Sequence, residues 1–383
     1  MSVQVSIQAG VSLGAAADLA AADRRFMALA LALGRRGLGR TWPNPAVGAV
    51  IVSDGVIVGR GWTQPGGRPH AEIEALRRAG DAARGATLYV TLEPCSHRGK
   101  SPPCAEAIVA AGMARVVAAL EDPNPKVAGQ GFMRLRAAGI AVATGVGAED
   151  AGRDHAGHIR RMRDGRPNVM LKLAVSADGK AGAAGRKPLA ITGEETRDRA
   201  HLLRAQSDAI MVGIGTVLAD DPLLTCRLPG MEKESPVRIV LDTALRLPPT
   251  SRLVQTARKT PVWVICGREA PRATEQALQA HGVEVLRSEQ SAGRRDLAAV
   301  LGLIAGRGIT RLMAEGGPTL AAALVTADLV DEAVLFRSPK TVGAAGIDAL
   351  EGLPLATLTQ SPRLKPLATN SFGSDICDVF ERW

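Results

Sequence analysis

One histidine, one glutamate and two cysteines carry the most chemistry in this 383-residue chain: His70-Ala71-Glu72, then Pro94-Cys95, then Cys104. One imidazole and two thiolates supply three ligands to a zinc ion and leave the fourth tetrahedral position open for a water. A carboxyl two residues from the histidine is placed to move that water's protons. This donor set, with the glutamate outside the metal shell, suits hydrolytic deamination of a nucleobase. Such a reaction needs an acidified water at neutral pH, and zinc lowers the pKa of a water from ~15.7 toward ~7. It also needs a proton for the departing amine, which Glu72 can relay. The two cysteines are separated by eight residues, Ser96 to Pro103, instead of the two of the short motif. A closed structural zinc site lacks its fourth ligand, because His97 falls inside that spacer.

The elements around these residues must bring them together. Residues 23–38 carry a helical apolar pattern that ends in Gly37 and Gly39. Thr41-Trp42-Pro43-Asn44-Pro45 is a rigid loop, since each proline forces the residue before it out of the α region. Val47–Val52 and Val56–Gly59 flank Ser53-Asp54-Gly55 and read as a hairpin. Pro69–Ala79 reads as a helix, and the His-x-Glu box works only if His70 lies at its opening turn. Thr87–Leu92 is a buried strand leading into Glu93-Pro94-Cys95. The helix Pro103–Ala111 puts Cys104 at an N-terminus, which favours the thiolate that binds metal. Ala114–Leu120 is the next strand, completing a three-layer α/β domain of about 140 residues.

Residues 149–167 are rich in Arg and Asp, end at Gly165-Arg166-Pro167, and read as a connecting helix and linker. The expected division is therefore 1–20 as a disordered extension, 21–164 as the metal domain and 165–383 as a second domain. That second domain alternates strand and helix over a mostly parallel sheet. Its strands are expected at Asn168–Ser176, Ala209–Val212, Val237–Asp242, Val262–Cys266, Val283–Leu286, Arg311–Glu315 and Ala333–Arg337. Residues 227–236 and 286–296 read as loops, and no internal repeat relates the halves. The second domain has strand-then-glycine turns at Met211-Val212-Gly213-Ile214-Gly215-Thr216 and at Glu315-Gly316-Gly317-Pro318. Helix N-termini after such turns hold phosphates, although for each turn taken alone ordinary loop chemistry is the better explanation. No Gly-x-Gly-x-x-Gly opens a Rossmann unit.

Composition narrows the function further. The five cysteines are odd in number and scattered, which fits metal binding or reduced core positions better than disulfides. No apolar run approaches the ~20 residues of a membrane span. The first 20 residues lack a basic n-region, so a cytoplasmic location is expected. The net charge of +9 raises the question of nucleic acid, but the basic residues are dispersed in pairs such as Arg24-Arg25, Arg35-Arg36 and Arg160-Arg161. One Tyr and five Phe offer little for stacking bases. Anionic small substrates, with no nucleic acid and no membrane partner, are the expectation.

Longer motifs carry a specific resemblance. Thr41 to Gly48, His70-Ala71-Glu72, Glu93 to Cys104 with its Ser-His-Arg-Gly spacer core, and Asp122 to Gly129 resemble the deaminase half of the bifunctional riboflavin biosynthesis deaminase/reductases. Leu202 to Ile210, Thr216 to Thr225 and Glu315 to Leu320 resemble the reductase half. The resemblance implies an N-terminal cytidine-deaminase-like domain and a C-terminal dihydrofolate-reductase-like α/β domain. It implies one zinc per chain, NADPH as reductant, pyrimidine ribose phosphates as substrates and a homo-oligomer, dimer or tetramer.

Carried over residue by residue, His70, Cys95 and Cys104 hold the metal and Glu72 is catalytic. Asn44 and the spacer loop contact the pyrimidine or its ribose phosphate, with Arg98 and Lys100 suited to phosphate. Ala174, Thr216, Asp220, Thr243 and the run Gly317, Pro318, Thr319, Leu320, Ala321, Ala322 and Ala323 contact the dinucleotide. Arg204, Leu224, Arg227 and Glu315 contact the substrate, and Lys172 and Asp178 are candidates for work near the reacting carbon. One departure stands out: the family's Ser-x-Trp-Ile-Thr segment reads Pro188-Leu189-Ala190-Ile191-Thr192 here, so a serine and a tryptophan contact are both missing. A nucleic-acid (tRNA) editing deaminase with an accessory domain is the alternative; it calls for a basic, aromatic-lined groove and a short cysteine spacer. A non-catalytic scaffold that kept the fold is the other alternative, and the intact metal residues argue against it in the first half.

Overall fold

A computed structural model of the chain describes residues 13–97, 102–186, 189–288, 290–291 and 294–382. Residues 1–12, the spacer positions Arg98 and Lys100, and Pro188 therefore lie outside the described residues. The chain divides into two compact units, Met1–Gly37 with Ala46–His155, and Leu38–Pro45 with Ala156–Trp383.

The first unit opens with helix α1 (Leu13–Gly34), which begins ten residues before the expected Asp23. The alanine-rich stretch Ala15 to Ala22 has high intrinsic helix propensity and extends the helix backward into the expected extension. The hairpin β1 (Gly48–Ser53) and β2 (Val56–Trp62) follows, then α2 (Ala71–Ala79), β3 (Thr87–Val90), α3 (Cys104–Ala110) and β4 (Arg115–Ala118). Helix α4 (Gln130–Ala137), β5 (Ala141–Thr144) and α5 (Ala148–Asp154) complete the unit.

The sheet order is β2-β1-β3-β4-β5, with β1 antiparallel to β2 and β3 and the rest parallel. One face buries Ala71, Ala75, Ile108, Phe132 and Leu135 from α2, α3 and α4. The other buries Phe26, Met27, Ala30 and Leu31 of α1 and Ala151 of α5. These are the three expected layers. Helix α2 lies directly on the β2 backbone because Gly59 and Gly61 face it: a Cβ at either would come within 2.3 Å of the carbonyls of Ala75 and Ala71. That close approach fixes where the start of α2, with His70 and Glu72, sits against the sheet.

The second unit contains α6 (Ala156–Asp164), β6 (Asn168–Val175), β7 (Lys180–Gly182), α7 (Glu194–Ala205), β8 (Ala209–Gly213) and α8 (Ile214–Asp220). It continues with β9 (Val237–Leu241), α9 (Arg252–Gln255), β10 (Val262–Cys266), α10 (Arg272–Ala280) and β11 (Glu284–Arg287). The two-residue strands β12 (Gln290–Ser291) and β13 (Arg294–Arg295) pair within the segment read as a loop. Then come α11 (Leu297–Gly306), β14 (Arg311–Ala314), α12 (Pro318–Thr326), β15 (Glu332–Arg337), β16 (Ile347–Asp348) and α13 (Ala356–Thr359). The unit ends in the hairpin β17 (Leu364–Phe372) and β18 (Asp375–Arg382).

Nine strands form one sheet in the order β11-β10-β9-β8-β14-β6-β15-β18-β17. It is parallel through β15, while β18 and β17 are antiparallel additions. The seven long strands read from the sequence all lie in this sheet. The terminal hairpin escaped that reading because β17, buried only near its start, lacks the apolar alternation of a half-buried strand. Among the described residues no helix is long and apolar enough to cross a membrane.

Candidate metal centre and reductase cavity

His70 is the N-cap of α2, with extended backbone (φ −70°, ψ 160°). Its carbonyl accepts the first helical bond, from Glu74 N–H at 3.2 Å. The imidazole therefore turns aside from the helix while Glu72, in the first turn, is buried at 3% exposure. The two side chains do not diverge as they would on a regular helix, which meets the condition that their spacing imposed. Cys95 lies in the loop that follows β3, and Cys104 opens α3.

His70 Nδ1 stands 3.7 Å from Cys95 Sγ and 3.3 Å from Cys104 Sγ, and all three ligand atoms lie within 4.8 Å of one another. With metal–sulfur and metal–nitrogen bonds of about 2.3 and 2.0 Å, tetrahedral zinc spaces such atoms about 3.6 Å apart. The donors thus fit zinc in kind and in spacing. The Cys104 backbone N–H donates to Cys95 Sγ at 3.3 Å. Hydrogen bonding from the Cys104 thiol, aided by His70, draws the Cys95 thiol down to about 4, while the neighbouring Cys95 and burial push Cys104 up. Cys95 is the ready thiolate of the pair, and a divalent cation between them deprotonates both. Burial raises the Glu72 carboxyl and His70 opposes it, so Glu72 is less acidic than an exposed glutamate. That is the direction a group must move to both take and give a proton.

Glu93 was not among the residues singled out from the sequence, yet it organises this site. Its buried carboxylate accepts from four backbone N–H groups: Asp122 at 3.1 Å, Gly129 at 2.9 Å, Gly131 at 2.7 Å and Phe132 at 3.4 Å. One side chain, two residues from Cys95, so fastens the Asp122–Gly129 segment and the start of α4. No spacing signal could reveal this, because all the donors are main-chain groups. E93Q turns an amide NH2 toward these donors and strands part of them. It is expected to destabilise the first unit by about 2 kcal/mol and to weaken zinc retention against a chelator. Unchanged unfolding and unchanged metal release would contradict that role.

In the second unit a cavity of about 320 Å³ opens beyond the C-terminal ends of the adjacent strands β8, β14 and β6. Crevices at such strand ends are the usual ligand sites of α/β sheets. Of the residues singled out from the sequence, Lys172, Ala174, Thr216, Asp220, Glu315, Gly317 and Pro318 line it. Gly316, Gly317 and Pro318 form the turn into α12, and Gly317 N–H donates to Thr216 Oγ1 at 3.1 Å. A glycine turn opening a nine-residue helix suits a nucleotide phosphate, so the lining fits a dinucleotide. Leu189, beside the missing serine and tryptophan positions, also lines the cavity and is 46% exposed.

Thr319 and Ala323 are exposed on α12, and Thr319 Oγ1 donates to Glu351. Leu320, Ala321 and Ala322 face the core. Thr243, exposed after β9, accepts Gly267 N–H at 3.0 Å and lies outside the cavity lining. Asn44 sits in the 38–45 segment of this unit, in a turn closed by its N–H to the Thr41 carbonyl at 3.0 Å.

Glu315 is the electrostatic centre. Lys172 Nζ donates to its Oε1 at 3.1 Å, and Arg204 forms a fork with 2.8 and 2.9 Å bonds. Burial alone would raise this carboxyl, but Lys172 and Arg204 hold it at about 2. Arg204 also reaches the Thr225 carbonyl at 3.2 Å. Leu224 is buried, whereas the Arg227 side chain is exposed and its backbone N–H donates to His201 Nδ1 at 3.3 Å. His201, also unsuspected from the sequence, lies 3.4 Å from Arg204 and so links the two arginines. Asp178 lies outside the cavity lining. It accepts from Ser176 Oγ at 2.6 Å and from the backbone of Val342 and Gly343 at 3.0 and 2.7 Å, which holds it at about 2. An acid so strong has no proton to give near neutrality, and these bonds tie the Ser176–Lys180 turn to the 342–343 segment.

Comparison with known proteins matches both halves. Residues 20–120 match the cytidine and deoxycytidylate deaminase zinc-binding region, and residues 167–377 match the RibD C-terminal domain. The chain is 43% identical to the riboflavin biosynthesis protein RibD of Escherichia coli, over 93% of this chain and 98% of that one. It is 39% identical to RibD of Aquifex aeolicus, over 94% and 99%. Among solved structures, RibD of Acinetobacter baumannii aligns with a TM-score of 0.84 at 36% identity, over 95% of this chain and 99% of that one. A Thermotoga maritima diaminohydroxyphosphoribosylaminopyrimidine deaminase/5-amino-6-(5-phosphoribosylamino)uracil reductase gives 0.82 at 34%, over 95% and 100%. These matches bear out the expected fold class in both halves and do not favour a nucleic-acid editing enzyme. With a zinc-type donor set in one unit, a strand-end cavity in the other and relatives matched along nearly their whole length, the chain belongs to the RibD family of bifunctional deaminase/reductases of riboflavin biosynthesis.

Proposed function

We propose that the first unit deaminates a diamino-ribosylamino-pyrimidinone 5′-phosphate and that the second reduces the ribosyl group of the resulting aminouracil to ribityl. The convergence of His70, Cys95 and Cys104 beside buried Glu72 carries the first assignment. One zinc per chain, held by these three residues, supplies an acidified water when bound. Glu72 would accept a proton at its carboxylate and pass it to the departing amine. Glu72 itself is buried, beside the half-exposed His70 and Cys95.

NADPH is the reductant this cavity would take; when bound it would supply a hydride for the sugar C1′ in its opened, imine-like form. The turn Gly316 to Pro318, with Thr216 and Asp220, holds the dinucleotide. Glu315 fixes Lys172 and Arg204, while Arg204 and Arg227 suit the substrate phosphate. Lys172 stands on the cavity wall, bonded to Glu315, whereas Asp178 orders its own turn. The reading includes a cytoplasmic homo-oligomer, to be checked by fractionation and by mass in solution.

Chelation of the metal, or C95S, is expected to end ammonia release while NADPH oxidation on the deaminated substrate continues at the wild-type rate. Full zinc content in C95S, or ammonia release from metal-free protein, refutes the metal assignment. Absent NADPH oxidation in the wild type refutes the reductase assignment.

A further inference from the structure

Arg238, near the start of β9, the third strand from one edge of the nine-stranded sheet, has 0% exposure. A buried guanidinium is costly unless its donors are satisfied and its charge is balanced. Among the described residues its acceptors are carbonyls and one hydroxyl, with no carboxylate. Nη1 donates to the Leu223 carbonyl at 3.2 Å and to Thr256 Oγ1 at 2.8 Å. Nη2 donates to the Thr256 carbonyl at 3.2 Å and to that of Thr260, while Nε has no hydrogen-bond partner. The side chain therefore joins α9 and the residues after it to Leu223, at the head of the 223–227 segment.

That segment needs holding. Leu224 has φ +55°, the left-handed region that costs a residue with a Cβ about 1–2 kcal/mol. Such a conformation persists only where its surroundings over-determine it. Three bonds do so here. Asp221 Oδ1 accepts Arg252 N–H at 2.8 Å, Arg238 takes the carbonyl before Leu224, and Arg204 takes the carbonyl after it at 3.2 Å. With both flanking carbonyls pinned, Leu224 points into the core and the chain delivers Arg227 to the surface three residues later.

We propose that Arg238 is a positioning residue for substrate binding in the reductase half, acting through the Leu223 carbonyl to set Leu224 and Arg227. The proposal rests on the assignment of Arg227 to the substrate. Arg238 meets no ligand itself. Its retention in a core where an aliphatic side chain would pack more cheaply is explained by its reach, since one planar fork spans both sides of the gap between α9 and the segment.

The test uses the full-length enzyme, the phosphorylated aminouracil riboside and NADPH, with KM and kcat measured for R238M, R227A and the double variant. R238M is expected to raise KM for the phosphorylated substrate about tenfold, with kcat and KM for NADPH within about twofold. The double variant should be no worse than R227A by more than about twofold, because both changes act on one contact. Additive effects, or an equal rise in KM for NADPH, would make Arg238 a merely structural residue and overturn the proposal. An unchanged KM in R227A would overturn the assignment of Arg227 instead. If R238M does not fold, R238K makes the same comparison: it keeps the buried charge but cannot span both sides, so its KM should also rise.

Discussion

E72Q is expected to bind one zinc per chain and to lose deamination by about 10³-fold. Glutamine has nearly the size of glutamate and leaves His70, Cys95 and Cys104 untouched, so the metal site keeps its donors. What it loses is a group that can take a proton and return it. The buried position of Glu72 makes the loss severe, because no other carboxyl of the donor cluster is there to take its place. NADPH oxidation on the deaminated substrate should match the wild type, as that cavity lies wholly within the other unit. Ammonia release within tenfold of the wild type, with zinc content unchanged, would refute the proton relay.

The second large effect is expected at Glu315. E315Q leaves Lys172 and Arg204 facing each other without the carboxylate that both contact. Removing one partner from a partly buried charge network costs about 3 kcal/mol, or roughly 100-fold in kcat/KM for the reductase substrate. Ammonia release should be unaffected. Stability carries a pH signature as well. The carboxyl is held at about 2 in the fold against 4.5 when free, so its contribution is fully present above pH 4.5 and is lost as pH falls toward 2. The contribution is about 3 kcal/mol. In urea unfolding at a series of pH values, wild type and E315Q should differ most near neutrality and converge as pH approaches 2. A difference independent of pH would mean that the carboxylate's charge is not what matters.

Much of this was legible in the chain because side-chain chemistry and period are local properties. The donor types at His70, Cys95 and Cys104 suit zinc, and a proline, a glycine turn or an apolar run places each beside a helix or strand end. The seven parallel strands of the second unit announce themselves because strands buried on both faces are continuous apolar runs. Helix α1 starts earlier than its amphipathic pattern does, since propensity alone extends it. The terminal hairpin, mostly half-buried or exposed, has no such run.

The site itself divides along the same line. By itself the sequence determined that the chain could hold zinc with one water position open, that a carboxyl stood ready to move protons, and that a glycine turn preceded a helix in the second half. Long motifs narrowed the substrate to a free pyrimidine phosphate. Only the tertiary structure decided that Glu93 would fasten four backbone amides beside Cys95. It also decided that Glu315 would gather Lys172 and Arg204 from 143 and 111 positions away, and that Asp178 would order a turn instead of reaching the cavity. The reason is physical. A ligand set or a helix start is written in residues near one another in the chain, but a carboxylate's acidity depends on which charges the fold brings within hydrogen-bond reach.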